Sequence, residues 1–268
     1  RMSARKVGPL EVLSREPKQR RHEAPLLFVH GAFAGAWVWE EHFLLWFAEQ
    51  GFSAHAVSLR GHGGSDGHER IDLYSVHDYV DDVAEVIADL GAAPVLLGHS
   101  MGGFVVQKYL ERHTVPAAVL ICSVPPQGLV AAQFSMLFAK PGMMMEINSL
   151  LSGGTVNLDA LKEALFAQEV SDELLNRYYR LMQPESQRAI WDMSMFSLPN
   201  LHAMARPPLM VLGAEKDLLM PSFLVQTTAH TYGVPDKIFR GLGHGVMLEK
   251  DWLHVAETIR DWLVGVLD

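Results

Sequence analysis

The stretch that decides the fold is Pro94-Val95-Leu96-Leu97-Gly98-His99-Ser100-Met101-Gly102-Gly103. Its apolar run reads as a buried strand, and the apolar helical pattern after Ser100 reads as a helix. A serine held between glycines at a strand-to-helix junction is a nucleophile elbow. The turn is too sharp for side chains at both flanks, so the hydroxyl projects above the sheet. The first amides of the helix point at the same spot, where they can stabilise a developing oxyanion. G-x-S-x-G also arises by chance, so its weight depends on whether the chain supplies an acid, a base and a second amide in the right order.

Upstream, Leu26–His30 reads as a strand buried on both faces, as in a parallel sheet covered by helices. A helix is predicted from about Trp37 to Gln50, with Trp39, Phe43, Trp46 and Phe47 at helical spacing. Ser53–Val57 is the next strand and runs into the glycine-rich loop Arg60–Gly67. Val76–Leu90 is a helix with a Ser75/Asp78 capping box and a Gly91 stop. Ala118–Cys122 is another buried strand, and Leu10–Leu13 alternates weakly as an early edge strand. From about Pro125 to Met204 no strand candidate appears, and helices are suggested at 129–139, 158–168 and 172–182. Eight of the 13 methionines fall there: Met136, Met143, Met144, Met145, Met182, Met193, Met195 and Met204. They read either as the core of a helical insertion or as the adaptable inner face of a mobile lid. Alternation resumes with a strand at Pro208–Gly213, a helix from Pro221 to about Tyr232, a strand at Lys237–Arg240 and a last helix from about Trp252. The implied class is α/β: a mostly parallel central sheet with helices on both faces. Residues 1–124 and 205–268 form the core domain, and residues 125–204 form an inserted helical cap or lid.

Composition sets limits on partners. Across 268 residues, 49% apolar and 20% charged side chains suit one ordinary globular domain. A net charge of −9 argues against nucleic acid or an anionic membrane as the main partner. The single cysteine, Cys122, excludes an intrachain disulfide and a cysteine-based zinc site, and fits a reducing compartment. No apolar segment follows the basic start, and no run approaches the roughly 20 apolar residues that span a bilayer. A soluble, cytoplasmic protein is expected. The histidines show no metal-ligand spacing such as H-E-x-x-H, so neither metal nor cofactor is expected.

A serine needs a base to take its proton, and the base needs an acid that fixes its tautomer. In the elbow architecture the order is serine, acid, histidine. Gly213-Ala214-Glu215-Lys216-Asp217 and Gly241-Leu242-Gly243-His244-Gly245 each follow a strand, where ligand chemistry gathers in open parallel sheets. His244 is the candidate base, and Glu215 and Asp217 compete as the acid. The second oxyanion donor belongs to the loop after the Leu26–His30 strand. The backbone amide of Ala32 is the first choice beside that of Met101, with Phe33 as the fallback. His30 reads as a structural hydrogen-bonder, and Cys122 reads as core.

Together, His30-Gly31, Arg60-Gly61-His62-Gly63-x-Ser65, Gly98-His99-Ser100-Met101-Gly102-Gly103, Gly213-x-x-x-Asp217 and Gly243-His244 resemble the α/β-hydrolase superfamily. The resemblance runs from about residue 25 to the C-terminus and leaves only the lid without motifs. It places the acid at Asp217. The His30-Gly31-Ala32 stretch with Gly35 and Trp37 resembles the carboxylesterase and hydroxynitrile-lyase branch. Ser58 departs from the aspartate many relatives carry before the Arg60-Gly61 loop. Serine at position 100 excludes the aspartate chemistry of haloalkane dehalogenases and epoxide hydrolases, and the cysteine chemistry of dienelactone hydrolases. The resemblance implies a cofactor-independent serine hydrolase of carboxylic esters, class EC 3.1.1. The apolar lid suggests a small to medium hydrophobic acyl or alcohol part. The same triad serves a lactonase, a thioesterase, a carbon–carbon bond hydrolase or a perhydrolase. A hydrolase-like ligand receptor is the reading from another class.

Overall fold

A computed structural model of the chain describes residues 2–139 and 157–268, with residues 141, 142, 145, 148 and 149 between them. Among the described residues eight strands form one sheet in the order β1-β2-β4-β3-β5-β6-β7-β8. They are β1 (Met2–Val7), β2 (Leu10–Arg15), β3 (Leu26–Val29), β4 (Ala54–Val57), β5 (Val95–His99), β6 (Ala118–Ile121), β7 (Leu209–Ala214) and β8 (Asp236–Phe239). β2 pairs antiparallel with β1 and β4, and every other pair is parallel.

Side chains along the central strands alternate between two packed faces, as the two-residue period of a strand requires. Leu27, Val29, Leu96, Leu120 and Val211 pack on one face with α3 (Val76–Leu90), α4 (Met101–Tyr109) and α9 (Ser222–Tyr232). Leu26, Phe28, Leu97, Val119 and Leu212 pack on the other with α1 (Trp37–Glu40), α2 (Phe43–Glu49) and α10 (Trp252–Leu267). The capping box of α3 is present: Asp78 N donates to Ser75 Oγ at 3.1 Å, and Ser75 N donates to Asp78 Oδ2 at 2.9 Å.

Three sequence expectations change. Leu10–Leu13 is not an edge, because β1 pairs outside it from Met2↔Arg15 to Val7↔Leu10. β1 left no apolar signal, since Ser3 to Lys6 are exposed and the strand is held through backbone pairing. The helix expected over 37–50 is two pieces, broken where His42 leaves helical geometry at φ −139°. The helix expected over 158–168 ends at Leu165.

Between β6 and β7 the described chain is helical: α5 (Leu129–Ala139), α6 (Leu158–Leu165), α7 (Asp172–Leu181) and α8 (Gln187–Trp191), the last running into a π-helical turn over Asp192–Phe196. Met143 and Met144 lie outside the described residues. The insertion packs into both layers of the core. Phe166, Leu175 and Tyr178 join the face of α1, where Tyr178 stacks on Trp37 at 5.8 Å. Ala189, Ile190 and Met193 join the face of α3. Among the described residues no helix is long and apolar enough to cross a membrane.

Candidate active site

Ser100 links β5 to α4 with φ 55° and ψ −114°, a conformation that a residue with a Cβ adopts only under constraint. The constraint is visible. Ser100 N donates to Ile121 O at 3.0 Å, and Ser100 O accepts from Gly103 N at 3.1 Å and from Val124 N at 3.2 Å. The flanking glycines are forced by backbone proximity. A Cβ on Gly102 would lie 2.1 Å from Val29 O, and one on Gly98 would lie 2.4 Å from Gly102 O.

Asp217 and His244, brought by the loops after β7 and β8, meet in a hydrogen bond of 2.7 Å between His244 Nδ1 and Asp217 Oδ2. The other carboxylate oxygen, Oδ1, accepts from Leu219 N at 2.9 Å and Met220 N at 2.8 Å. With Nδ1 donating to the carboxylate, the neutral ring carries its lone pair on Nε2, the tautomer a general base needs. Glu215 instead accepts from Gly241 N at 3.0 Å and is exposed, so it braces the neighbouring loop.

The loop after β3 passes directly over the elbow: a Cβ on Gly31 would sit 3.1 Å from Ser100 Cβ. Within it, Phe33 has φ 65°, and its amide donates to Glu185 Oε1 at 3.2 Å. That amide is therefore engaged away from the serine, whereas the Ala32 and Met101 amides have no acceptor among the described residues. His30 braces this loop as a neutral ring. Its Nε2 accepts from Leu59 N at 3.0 Å, and its Nδ1 donates to Gly31 O at 2.8 Å. Burial, with the nearby His62, pushes its pKa down to about 3.

His99, Cys122 and His244 bring possible ligand atoms within 4.8 Å of one another. His99 and Cys122 flank the Asp217–His244 pair. His99 Nε2 donates to His244 O at 2.8 Å, and the Cys122 thiol lies close enough to Asp217 to feel its charge. Burial and the Asp217 charge push the thiol well up, while burial and His244 push the His99 imidazole well down. A neutral thiol and a neutral imidazole are packing partners of the pair rather than nucleophiles.

Ser100 and His244 line a cavity of about 150 Å³ whose other walls are almost entirely apolar. Leu161, Met182, Ile190 and Met193 of the insertion face Trp37, Met101 and Leu248 of the core across it. Of the methionines between β6 and β7, Met182 and Met193 line the cavity, Met204 is buried in the core, and Met145 and Met195 are exposed. A family model described as "Alpha/beta hydrolase family" matches residues 26–256.

The chain belongs to the α/β-hydrolase family. It is 25% identical over 231 residues to a monoacylglycerol lipase of Mycolicibacterium smegmatis, covering 82% of this chain and 81% of that protein. It is 38% identical over 113 residues to a bifunctional esterase/perhydrolase of Acinetobacter calcoaceticus, covering 39% of this chain and 38% of that protein. An esterase from Exiguobacterium antarcticum shares the fold with a TM-score of 0.69 at 22% identity, over 95% of each chain.

Sequence reading missed two buried carboxylates of this α/β-hydrolase. Glu185, in the insertion, contacts Phe33, His62 and Tyr79. Glu249 accepts from Gly243 N at 2.8 Å and Ala167 N at 2.9 Å, tying the His244 loop to the insertion. No local pattern marks them, because most of their partners lie far away in the chain.

Proposed function

We propose that this α/β-hydrolase cleaves carboxylic esters carrying a small to medium hydrophobic acyl or alcohol part. The observation that carries the reading is the constrained Ser100 sharing an apolar cavity with a histidine already paired to a carboxylate. Similarity to a monoacylglycerol lipase and to an esterase/perhydrolase supports it.

His244 Nε2 takes the proton of the Ser100 hydroxyl as Oγ forms a bond to the ester carbonyl carbon. The carbonyl π pair moves onto oxygen, where the amides of Ala32 and Met101 donate to the oxyanion. Asp217 holds the imidazolium formed on His244. Collapse of the tetrahedral adduct expels the alkoxide, which leaves as the alcohol after taking the proton from His244. Water, deprotonated by His244, then attacks the acyl-Ser100 ester, and the carboxylic acid leaves as Oγ recovers its proton. A cavity of about 150 Å³ with apolar walls suits an ester group carrying one short chain.

The match to the esterase/perhydrolase, and one of 38% identity over 108 residues to a non-heme haloperoxidase of Rhodococcus erythropolis, favour a second outcome at the same site. Hydrogen peroxide in place of water would release a peracid from acyl-Ser100. The test is turnover of a p-nitrophenyl ester series with and without peroxide. Ser100→Ala is expected to lower kcat by a factor on the order of 10⁴–10⁶, and retention of most turnover would refute the assignment. Preference for charged esters over butyrate or hexanoate would refute the hydrophobic substrate class.

A further inference from the structure

The insertion returns to the core at Gln183-Pro184-Glu185-Ser186, between α7 and α8. Glu185 has no exposed side-chain surface, yet four donors surround its carboxylate. Oε1 accepts from His62 Nε2 at 2.8 Å and Phe33 N at 3.2 Å. Oε2 accepts from Tyr79 OH at 2.7 Å and Ser186 N at 2.8 Å. His62 also directs Nδ1 at Arg60 O, 2.9 Å away, so both of its ring nitrogens face acceptors and the ring is an imidazolium. A buried ion pair is tolerated only when its remaining hydrogen-bonding positions are filled, as they are here.

This pair acts on the loop above Ser100. Phe33 is gripped at both ends by the insertion: its N–H donates to Glu185, and its carbonyl accepts from Gln183 N at 3.0 Å. The Gln183 side chain holds the neighbouring loop, accepting from Gly63 N at 2.9 Å and donating to Gly61 O at 2.7 Å. One peptide earlier, His30 Nδ1 holds Gly31 O. No peptide here is cis, so the Ala32 N–H points to the opposite side from that carbonyl. Three successive peptide planes are thus fixed, 31–32 by His30, 32–33 by Glu185 and 33–34 by Gln183, and Phe33, between the last two, is in a left-handed conformation that persists only where neighbours over-determine it.

We infer that Glu185, paired with His62, is a positioning residue for the oxyanion loop, holding the Ala32 amide in its donating orientation from within the substrate-cap insertion. The inference rests on the serine-hydrolase reading and makes the oxyanion site depend on how the insertion is seated.

The test compares Glu185→Ala and Glu185→Gln with the unaltered protein by three measurements: amide hydrogen exchange over residues 31–34, kcat and KM for p-nitrophenyl butyrate, and inhibition by phenylboronic acid, which forms a tetrahedral adduct on the serine. Glu185→Gln keeps the side-chain volume but loses the charge that pairs with His62 and must turn an NH2 group toward one of the two donor pairs, so it loosens the hold on Phe33 and is the variant read if Glu185→Ala does not fold. The expected result is faster exchange at Phe33, a kcat about tenfold or more lower with KM within about threefold, and boronate inhibition weakened in parallel with kcat. Unchanged exchange over 31–34 overturns the inference. So does a kcat per folded molecule within about twofold of the unaltered protein while only thermal stability falls. Failure of the hydrolase reading is distinct, appearing as undiminished turnover in Ser100→Ala. The loop exchange is read without any turnover.

Discussion

Replacing Asp217 by asparagine changes one oxygen into an NH2 group, and the structure determines where that group goes. Oδ1 faces two backbone donors, Leu219 N and Met220 N, at 2.9 and 2.8 Å. Turning the amide nitrogen toward them would break both hydrogen bonds and oppose donors to a donor, at about 1–3 kcal/mol for each unsatisfied group. The amide oxygen therefore stays on that side, and the NH2 faces His244 Nδ1, where the carboxylate oxygen now lies 2.7 Å away. Nδ1 must then be an acceptor, so the ring proton moves to Nε2, and the base has no lone pair for Ser100. The same substitution in a serine protease triad lowers kcat about 10⁴-fold. An effect of 10³–10⁴ is expected here, roughly 4–5.5 kcal/mol of transition-state stabilisation. KM is expected to change little, and the thermal midpoint to hold because the two backbone donors keep their acceptor. The assay is p-nitrophenyl butyrate hydrolysis alongside thermal unfolding, with Glu215→Gln as the control. Activity of Asp217→Asn within about tenfold of the unaltered protein would refute the tautomer argument, as would equal damage from Glu215→Gln.

Gly102→Ala is expected to destabilise by at least about 3 kcal/mol, because its Cβ would lie 2.1 and 2.6 Å from backbone oxygens that cannot move aside. Gly265→Ala, in open space on α10, is expected to be neutral or stabilising by up to about 1 kcal/mol; paired urea titrations check both. The His62–Glu185 pair sets a pH window for stability. Burial alone would discharge His62, but the Glu185 carboxylate outweighs it and raises the imidazole above its usual 6.5. That contribution is complete below 6.5 and is lost as pH rises through the folded value. Burial likewise opposes charge on Glu185, but His62, Tyr79 and the Ser186 amide hold it below its usual 4.5. Its contribution is complete above 4.5 and is lost as pH falls through the folded value. Stability from the pair is therefore expected to be flat from about 4.5 to 6.5 and to fall on both sides. His62→Asn/Glu185→Gln is expected to remove both limbs from the urea midpoint against pH.

The elbow was legible because it is local: strand, serine and helix are adjacent in the chain, and Gly98 is dictated by the backbone of Gly102 within one turn, although Gly102 itself answers to the distant backbone of Val29 and His30. The central strands were legible because both of their faces are buried. β1 was hidden, since backbone pairing to β2 holds it and its residues from Ser3 to Lys6 face solvent. The break at His42 was hidden because the aromatic spacing of Trp39, Phe43 and Phe47 continues across it. The residues alone left Glu215 and Asp217 open and only the family resemblance chose Asp217, because what separates them is the course of the chain beyond β7, where Asp217 meets His244 and Glu215 meets Gly241. Glu185 lies 123 residues from His62 and 152 from Phe33, and its environment is assembled from three loops and a helix. A lone carboxylate in a polar stretch gives no periodic signal of such a fate.

The reading of Ser100 as the nucleophile is tested most directly by trapping the covalent intermediate. A slowly hydrolysed p-nitrophenyl ester is mixed with the protein, quenched in acid within the burst and measured by intact mass, followed by peptide mapping. The account requires one acyl group per chain, carried on the peptide at Ser100 and absent from Ser100→Ala. Turnover with no acyl mass, or with the acyl group on another residue, would contradict it.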